Sequence, residues 1–172
     1  MTDNLLVAVI VFIAALLQVT LVASVDIAGG TADLLLLSLL PIAFLRGSVT
    51  GAAAGFFGGL LVDVMTLDTL GVTALLYALA GYWAGRYGET TGRDRAHAPL
   101  LAVLVATIGI AYAGFGLHFL LGEEVSARLA LIDTLLPSVA LNLVLGVPVY
   151  ALCRSALSRS GSDRVSEVRL IG

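Results

Sequence analysis

Long apolar runs separated by short polar breaks dominate this chain of 172 residues. An apolar run of about 18 residues or more is long enough to cross the hydrocarbon core of a bilayer as a helix. The pattern predicts six transmembrane helices and an Arg- and Ser-rich tail, at 5–25, 31–46, 48–65, 70–87, 99–121 and 132–152, with the tail at 153–172. We therefore expect an all-α integral membrane protein with a compact six-helix bundle as its single transmembrane domain.

The second predicted helix is the shortest. At 1.5 Å per residue the segment 31–46 reaches only about 24 Å, so it crosses only where the bilayer thins or where Arg46 extends its side chain to the interface. Thr31 is expected to cap its N-terminus, with Asp33 in the first turn. Only a tight reversal separates this helix from the next, which predicts an antiparallel hairpin.

The third predicted helix carries a line of glycines at every fourth position, followed by a carboxylate one step further on. We call the first four of these residues the glycine face: Gly47, Gly51, Gly55 and Gly59, with Asp63 as the next position. Residues at this spacing share one side of a helix. Small side chains let helices approach closely in lipid, which is how membrane helices associate. The face therefore packs either against another helix of this chain or against a partner or second copy.

The fourth predicted helix has small residues at a similar spacing, which fits close packing against the third. Its N-terminus is expected to be capped by Asp68 or Thr69. The small residues are Ala74, Ala78, Gly81 and Gly85.

Composition and charge support a membrane location. Hydrophobic residues make up 59% of the chain and charged residues 12%, and the mean hydropathy is +1.05. All nine basic residues are Arg, and a six-span topology places eight on one side and only Arg128 on the other. Because basic loops stay in the cytoplasm, both termini are predicted to be cytoplasmic. A single cysteine, Cys153, excludes an internal disulfide.

No catalytic constellation is recognisable in the sequence, which lacks paired acids, a nucleophile with a base, or metal ligands at workable spacing. We predict no enzyme, no cofactor, no metal and no nucleic-acid partner. Asp63 either serves a partner or function inside the membrane or marks where its helix leaves the bilayer. Asp33 fits a helix start, and Arg46 fits an interfacial anchor.

Four segments of the chain resemble the rod shape-determining protein MreD family. They are Ala-Asp-Leu-Leu-Leu-Leu at 32–37, Leu-Arg-Gly at 45–47, Gly-Phe-Phe-Gly-Gly-Leu-Leu-Val-Asp at 55–63 and Leu-Gly-Val-Thr-Ala-Leu at 70–75. The chain departs from the family at Ala32, where a proline usually precedes the Asp. The resemblance picks out as motif positions Asp33, Arg46, Gly55, Gly59, Asp63 and Gly71.

The resemblance implies a non-catalytic scaffold in the bacterial inner membrane that binds MreC and helps position peptidoglycan synthesis for rod shape. RodA, a class B penicillin-binding protein and MreB are the implied members of the same elongation machinery. It also implies a fold similar to the substrate-binding subunits of energy-coupling-factor transporters. A vitamin-like small-molecule binding subunit of a transporter is therefore the alternative, and homo-oligomerisation stays open.

Overall fold

The computed structural model describes residues 2–20, 30–91, 98–122 and 135–168. Its six helices are α1 Thr2–Thr20, α2 Leu34–Arg46, α3 Ser48–Thr66, α4 Val72–Thr91, α5 Ala98–Leu120 and α6 Leu135–Val168. The described ranges contain helices and no strands, which confirms the all-α prediction. The predicted end of the first span at 25 and the start of the sixth at 132 lie outside the described residues, as does 169–172 of the tail.

Within the part of the chain that the structure describes, three segments are long and apolar enough to cross a membrane: Ser48–Thr66, Leu100–Leu117 and Leu135–Leu157. The described parts of α1 and α2 are apolar but shorter. A membrane crossing by all six helices stays a prediction. Helix α6 also continues without a break to Val168, whereas the sequence pattern placed the start of the tail at 153.

Helix α2 lies at the centre of the bundle. Ten consecutive residues, 35–44, are buried, and α2 contacts each of the other five helices. These five form a ring around it, in the order α1, α3, α4, α5, α6 and back to α1. A helix that is apolar on every side can be surrounded by lipid or by other helices, and α2 is surrounded by other helices. The short second helix is therefore the core of the fold.

The boundaries of α2 follow from two residues. Asp33 is the N-cap, and its carboxylate accepts a hydrogen bond from the Leu36 N–H at 2.9 Å. The expected cap at Thr31 is therefore wrong, because Asp33 lies just before the helix rather than in its first turn. Gly47 ends α2 with a φ of +93°, a conformation that glycine adopts without steric cost, and α3 begins at the next residue.

Candidate functional site

The glycine face packs against α4 within this chain. The register is antiparallel: Gly51 lies against Gly81, Gly55 against Tyr77 and Gly59 against Ala74. A Cβ added at Gly59 would lie 2.6 Å from the Ala74 Cα, and one at Gly51 would lie 2.6 Å from the Gly81 carbonyl oxygen. The two backbones are thus in direct contact. We call this contact the α3–α4 seam.

Asp63 closes the seam at one end. Its side chain is fully buried, and Oδ2 accepts hydrogen bonds from the backbone N–H groups of Gly71 at 2.8 Å and Ala74 at 3.3 Å. These donors belong to the start of α4, where backbone N–H groups have no partner within their own helix. Asp63 therefore caps α4 from α3. The sequence pattern predicted Asp68 or Thr69 as the cap of α4, whereas the structure places Asp63 in that role.

Glu89 closes the opposite end of the seam in the same way. Its Oε1 accepts from the Ser48 backbone N–H at 2.8 Å and from the Ser48 hydroxyl at 3.0 Å, at the start of α3. These hydrogen bonds, helped by Arg86, hold the pKa of the Glu89 carboxyl below its ordinary value of 4.5. Each helix of the pair thus supplies, near its own C-terminal end, the acid that caps the other helix.

A second polar group, which we call the polar cluster, ties helices together at the N-terminus of α2. Tyr77 of α4 donates a hydrogen bond from its hydroxyl to Asp33 Oδ2 at 2.5 Å. The Asp33 backbone N–H donates to Oδ1 of Asn142 in α6 at 2.8 Å, and Asn142 Nδ2 donates to the Thr107 hydroxyl of α5 at 3.2 Å. Interhelical hydrogen bonds of this kind hold membrane helices in one arrangement.

Helix α1 joins the polar cluster through Gln18. Its Oε1 accepts from the Leu34 N–H at 2.7 Å, and its Nε2 donates to the Ala32 carbonyl at 3.3 Å. Gln18 thus links the end of α1 to the segment that starts α2. The polar side chains of α1, α4 and α6 in this cluster bond to the residues at the start of α2, and the α5 member, Thr107, bonds to Asn142 of α6.

The remaining motif positions lie at the helix ends. Arg46 is the last residue of α2, with a half-buried side chain. Gly47 sits beside Glu89, and a Cβ there would lie 2.8 Å from Glu89 Oε1. Gly71 precedes α4 with a φ of +95° and donates its N–H to Asp63. Asp33 and Asp63 therefore act at two separate helix starts, α2 and α4.

Sequence reasoning missed Glu89 and Tyr77. Glu89 lies 41 residues from Ser48, and Tyr77 lies 44 residues from Asp33. The available signal was the small-residue line of α4, since pairing it with the glycine face brings Tyr77 opposite Gly55.

One large groove lies between α4 and α5, with a volume of about 640 Å³. Its walls come from residues 76–87 of α4 and 101–113 of α5, and all the lining side chains are apolar or aromatic. In the described part of the chain, no three His, Cys, Asp or Glu side chains come together in a way that could hold a metal ion.

The family model described as rod shape-determining protein MreD matches residues 2–156. The chain belongs to the MreD family. The match includes all the motif positions described above, the α3–α4 seam and the polar cluster. No curated protein and no solved structure matches the chain.

Membership in the MreD family implies a role in rod shape determination. MreD proteins are membrane-associated, and the apolar helices described above agree with that location. The MreD match ends at residue 156, so the last part of helix α6 lies beyond it.

Proposed function

We propose that this MreD-family chain is a non-catalytic membrane scaffold of the cell-wall elongation machinery. The observation that carries the proposal is that buried polar side chains of this chain form hydrogen bonds between its own helices. Asp63 caps a neighbouring helix, and Asp33 and Asn142 belong to hydrogen bonds that join helices. Such bonds hold the helices in one arrangement, as expected of a scaffold that offers a fixed outer surface to partner proteins.

The proposed topology is six crossings of the bacterial inner membrane with both termini in the cytoplasm. The arginine asymmetry supports it, because eight of nine basic residues then lie on the cytoplasmic side. The central α2, about 20 Å long, would cross within the ring of five helices rather than against lipid. A fold similar to the substrate-binding subunits of energy-coupling-factor transporters is part of this proposal.

The proposed direct partner is MreC, with RodA, a class B penicillin-binding protein and MreB in the same machinery. A partner helix would meet the outer surface of the ring, since the glycine face is buried against α4. That outer surface includes large exposed side chains such as Phe12 of α1 and Phe57 of α3. Aromatic side chains in such positions are available for contact with a partner helix.

The alternative function, a small-molecule binding subunit, calls for a pocket with convergent polar groups. The groove between α4 and α5 is lined by apolar and aromatic side chains. The polar side chains of the polar cluster form hydrogen bonds between helices instead of lining this groove. These observations favour the scaffold, and ligand-dependent thermal stabilisation by a vitamin panel would reverse that preference.

In-cell cysteine crosslinking tests the scaffold. Single cysteines replace exposed residues such as Phe12 and Phe57 in a Cys153→Ser background, with single cysteines along the transmembrane helix of MreC. Ala74→Cys, at a fully buried position in the seam, is the control for non-specific crosslinking. We expect crosslinks from one face of the ring and none from Ala74→Cys. A chain that reaches the membrane intact but crosslinks to MreC from no exposed position would contradict the proposal.

A further inference from the structure

The groove between α4 and α5 has the length of one bilayer leaflet. Its walls span 12 residues of α4 and 13 of α5, or about 17 Å at 1.5 Å per residue. Half of a hydrocarbon core of roughly 30 Å is about 15 Å. In the proposed six-span topology, on which this inference rests, the groove would therefore reach from the interface at its Tyr87 and Leu101 end to about the middle of the membrane.

Small residues line part of the groove, and beside one of them, Gly109, the structure leaves open space. Ala80 and Ala84 line the groove from α4, and Ala106 and Gly109 from α5. A Cβ added at Gly109 would meet nothing within 4 Å, whereas one at Gly59 in the seam would meet the backbone of Ala74. The space beside Gly109 is thus open to a slender apolar occupant.

A cation and an aromatic ring lie at the interfacial end. Trp83 lines the groove and is 67% exposed. Trp83 lies four residues after Leu79, and Arg86 lies three residues after Trp83. All three residues therefore share one side of α4. The Arg86 side chain is 53% exposed, and its Nη1 contacts Glu89 Oε2 at 3.3 Å. A guanidinium has five N–H donors, and an exposed pair of this kind is weak, so Arg86 retains donors for an anion.

We propose that the groove binds one acyl chain of an anionic phospholipid, with the lipid phosphate on Arg86. Bilayer-leaflet length, an apolar lining and a cation beside an aromatic ring at the interface together match such a molecule. A partner helix fits less well. A partner helix that crossed the membrane would extend across both leaflets, well beyond the length of the groove.

Native mass spectrometry of the full chain in detergent, with added phosphatidylglycerol or phosphatidylcholine, tests the proposal. Gly109→Leu fills the groove. Its matched control is Gly116→Leu, also in α5, where a Cβ again meets nothing within 4 Å but which does not line the groove. Arg86→Gln removes the headgroup partner, with Arg154→Gln on α6 as the control.

We expect the unmodified chain to retain phosphatidylglycerol at least fivefold better than phosphatidylcholine. Gly109→Leu should reduce bound phosphatidylglycerol at least fivefold, whereas Gly116→Leu should leave it within a factor of two. Arg86→Gln should abolish the preference between the two lipids, and Arg154→Gln should keep it. Equal retention by the two leucine variants, or a preference that survives Arg86→Gln, would overturn the proposal.

A second measurement needs no variant. Phosphatidylglycerol with a photoactivatable group in one acyl chain is crosslinked to the unmodified protein, and the labelled residues are mapped. We expect label on groove residues of α4 and α5. Label spread evenly over the exposed faces of α1, α3 and α6 as well would show that the groove holds bulk lipid only.

Discussion

The α3–α4 seam predicts a specific cost for adding one methyl group at Gly55. A Cβ there would lie 2.5 Å from the Tyr77 carbonyl carbon and 2.9 Å from the Ala78 nitrogen, against an ordinary contact of 3.4–4 Å. Both neighbours are backbone atoms, which no side-chain rotation can move. Gly55→Ala therefore requires α3 and α4 to separate locally by about 1 Å, which forfeits a quarter to a half of each dispersion contact there.

The expected loss is about 2 kcal/mol in the free energy of unfolding, within the range of about 1–3 kcal/mol for overpacking a filled core. Gly116→Ala is the control, because its Cβ meets nothing within 4 Å. Both changes replace a helical glycine by alanine and so share the same helix-propensity gain of about 1 kcal/mol in water. The comparison between the two variants isolates the steric term.

Unfolding by SDS in mixed micelles, followed by fluorescence of the sole tryptophan, Trp83, measures the difference. We expect Gly55→Ala to unfold at clearly lower SDS than Gly116→Ala, and Gly55→Leu to accumulate poorly in cells. Equal unfolding midpoints for the two alanine variants would refute the close contact. In that case the glycine face would point to lipid.

Three further changes probe the polar contacts. Asp63→Ala leaves two backbone N–H groups unpaired and should lower the free energy of unfolding by about 2 kcal/mol. The control, Asp68→Ala at an exposed turn, should lower it by less than about 0.5 kcal/mol in the same unfolding assay. Tyr77→Phe removes the donor to Asp33 and should cost about 1 kcal/mol; no change would mean that this hydrogen bond adds nothing. The pKa of Glu89 is lowered in the folded chain, so its contribution is present above pH 4.5 and is lost as the pH falls through the lower folded value. Thermal stability of Glu89→Gln should therefore depend less on pH below 4.5 than that of the unmodified chain, and parallel curves would count against the cap.

The helical plan was readable from the sequence because it depends on neighbouring residues. Apolar runs and short breaks indicate helices, and the start of α3 at Ser48 coincides with the predicted start of the third span. Glycine at every fourth position marked the side of α3 that packs most closely. The start of α2 was misplaced by three residues, because a helix start depends on which of several polar residues accepts the first backbone N–H.

Contacts between distant segments were decided only by the tertiary structure. The sequence showed that Asp63 lies near a helix end, but its role as the cap of α4 depends on how α3 and α4 align. The bond between Glu89 and Ser48 joins residues 41 positions apart, and the central place of α2 depends on all five surrounding helices. Local periodicity determines which residues share a helix face. The register and order of the packed helices determine which faces meet, and therefore where the caps, the polar cluster and the groove lie.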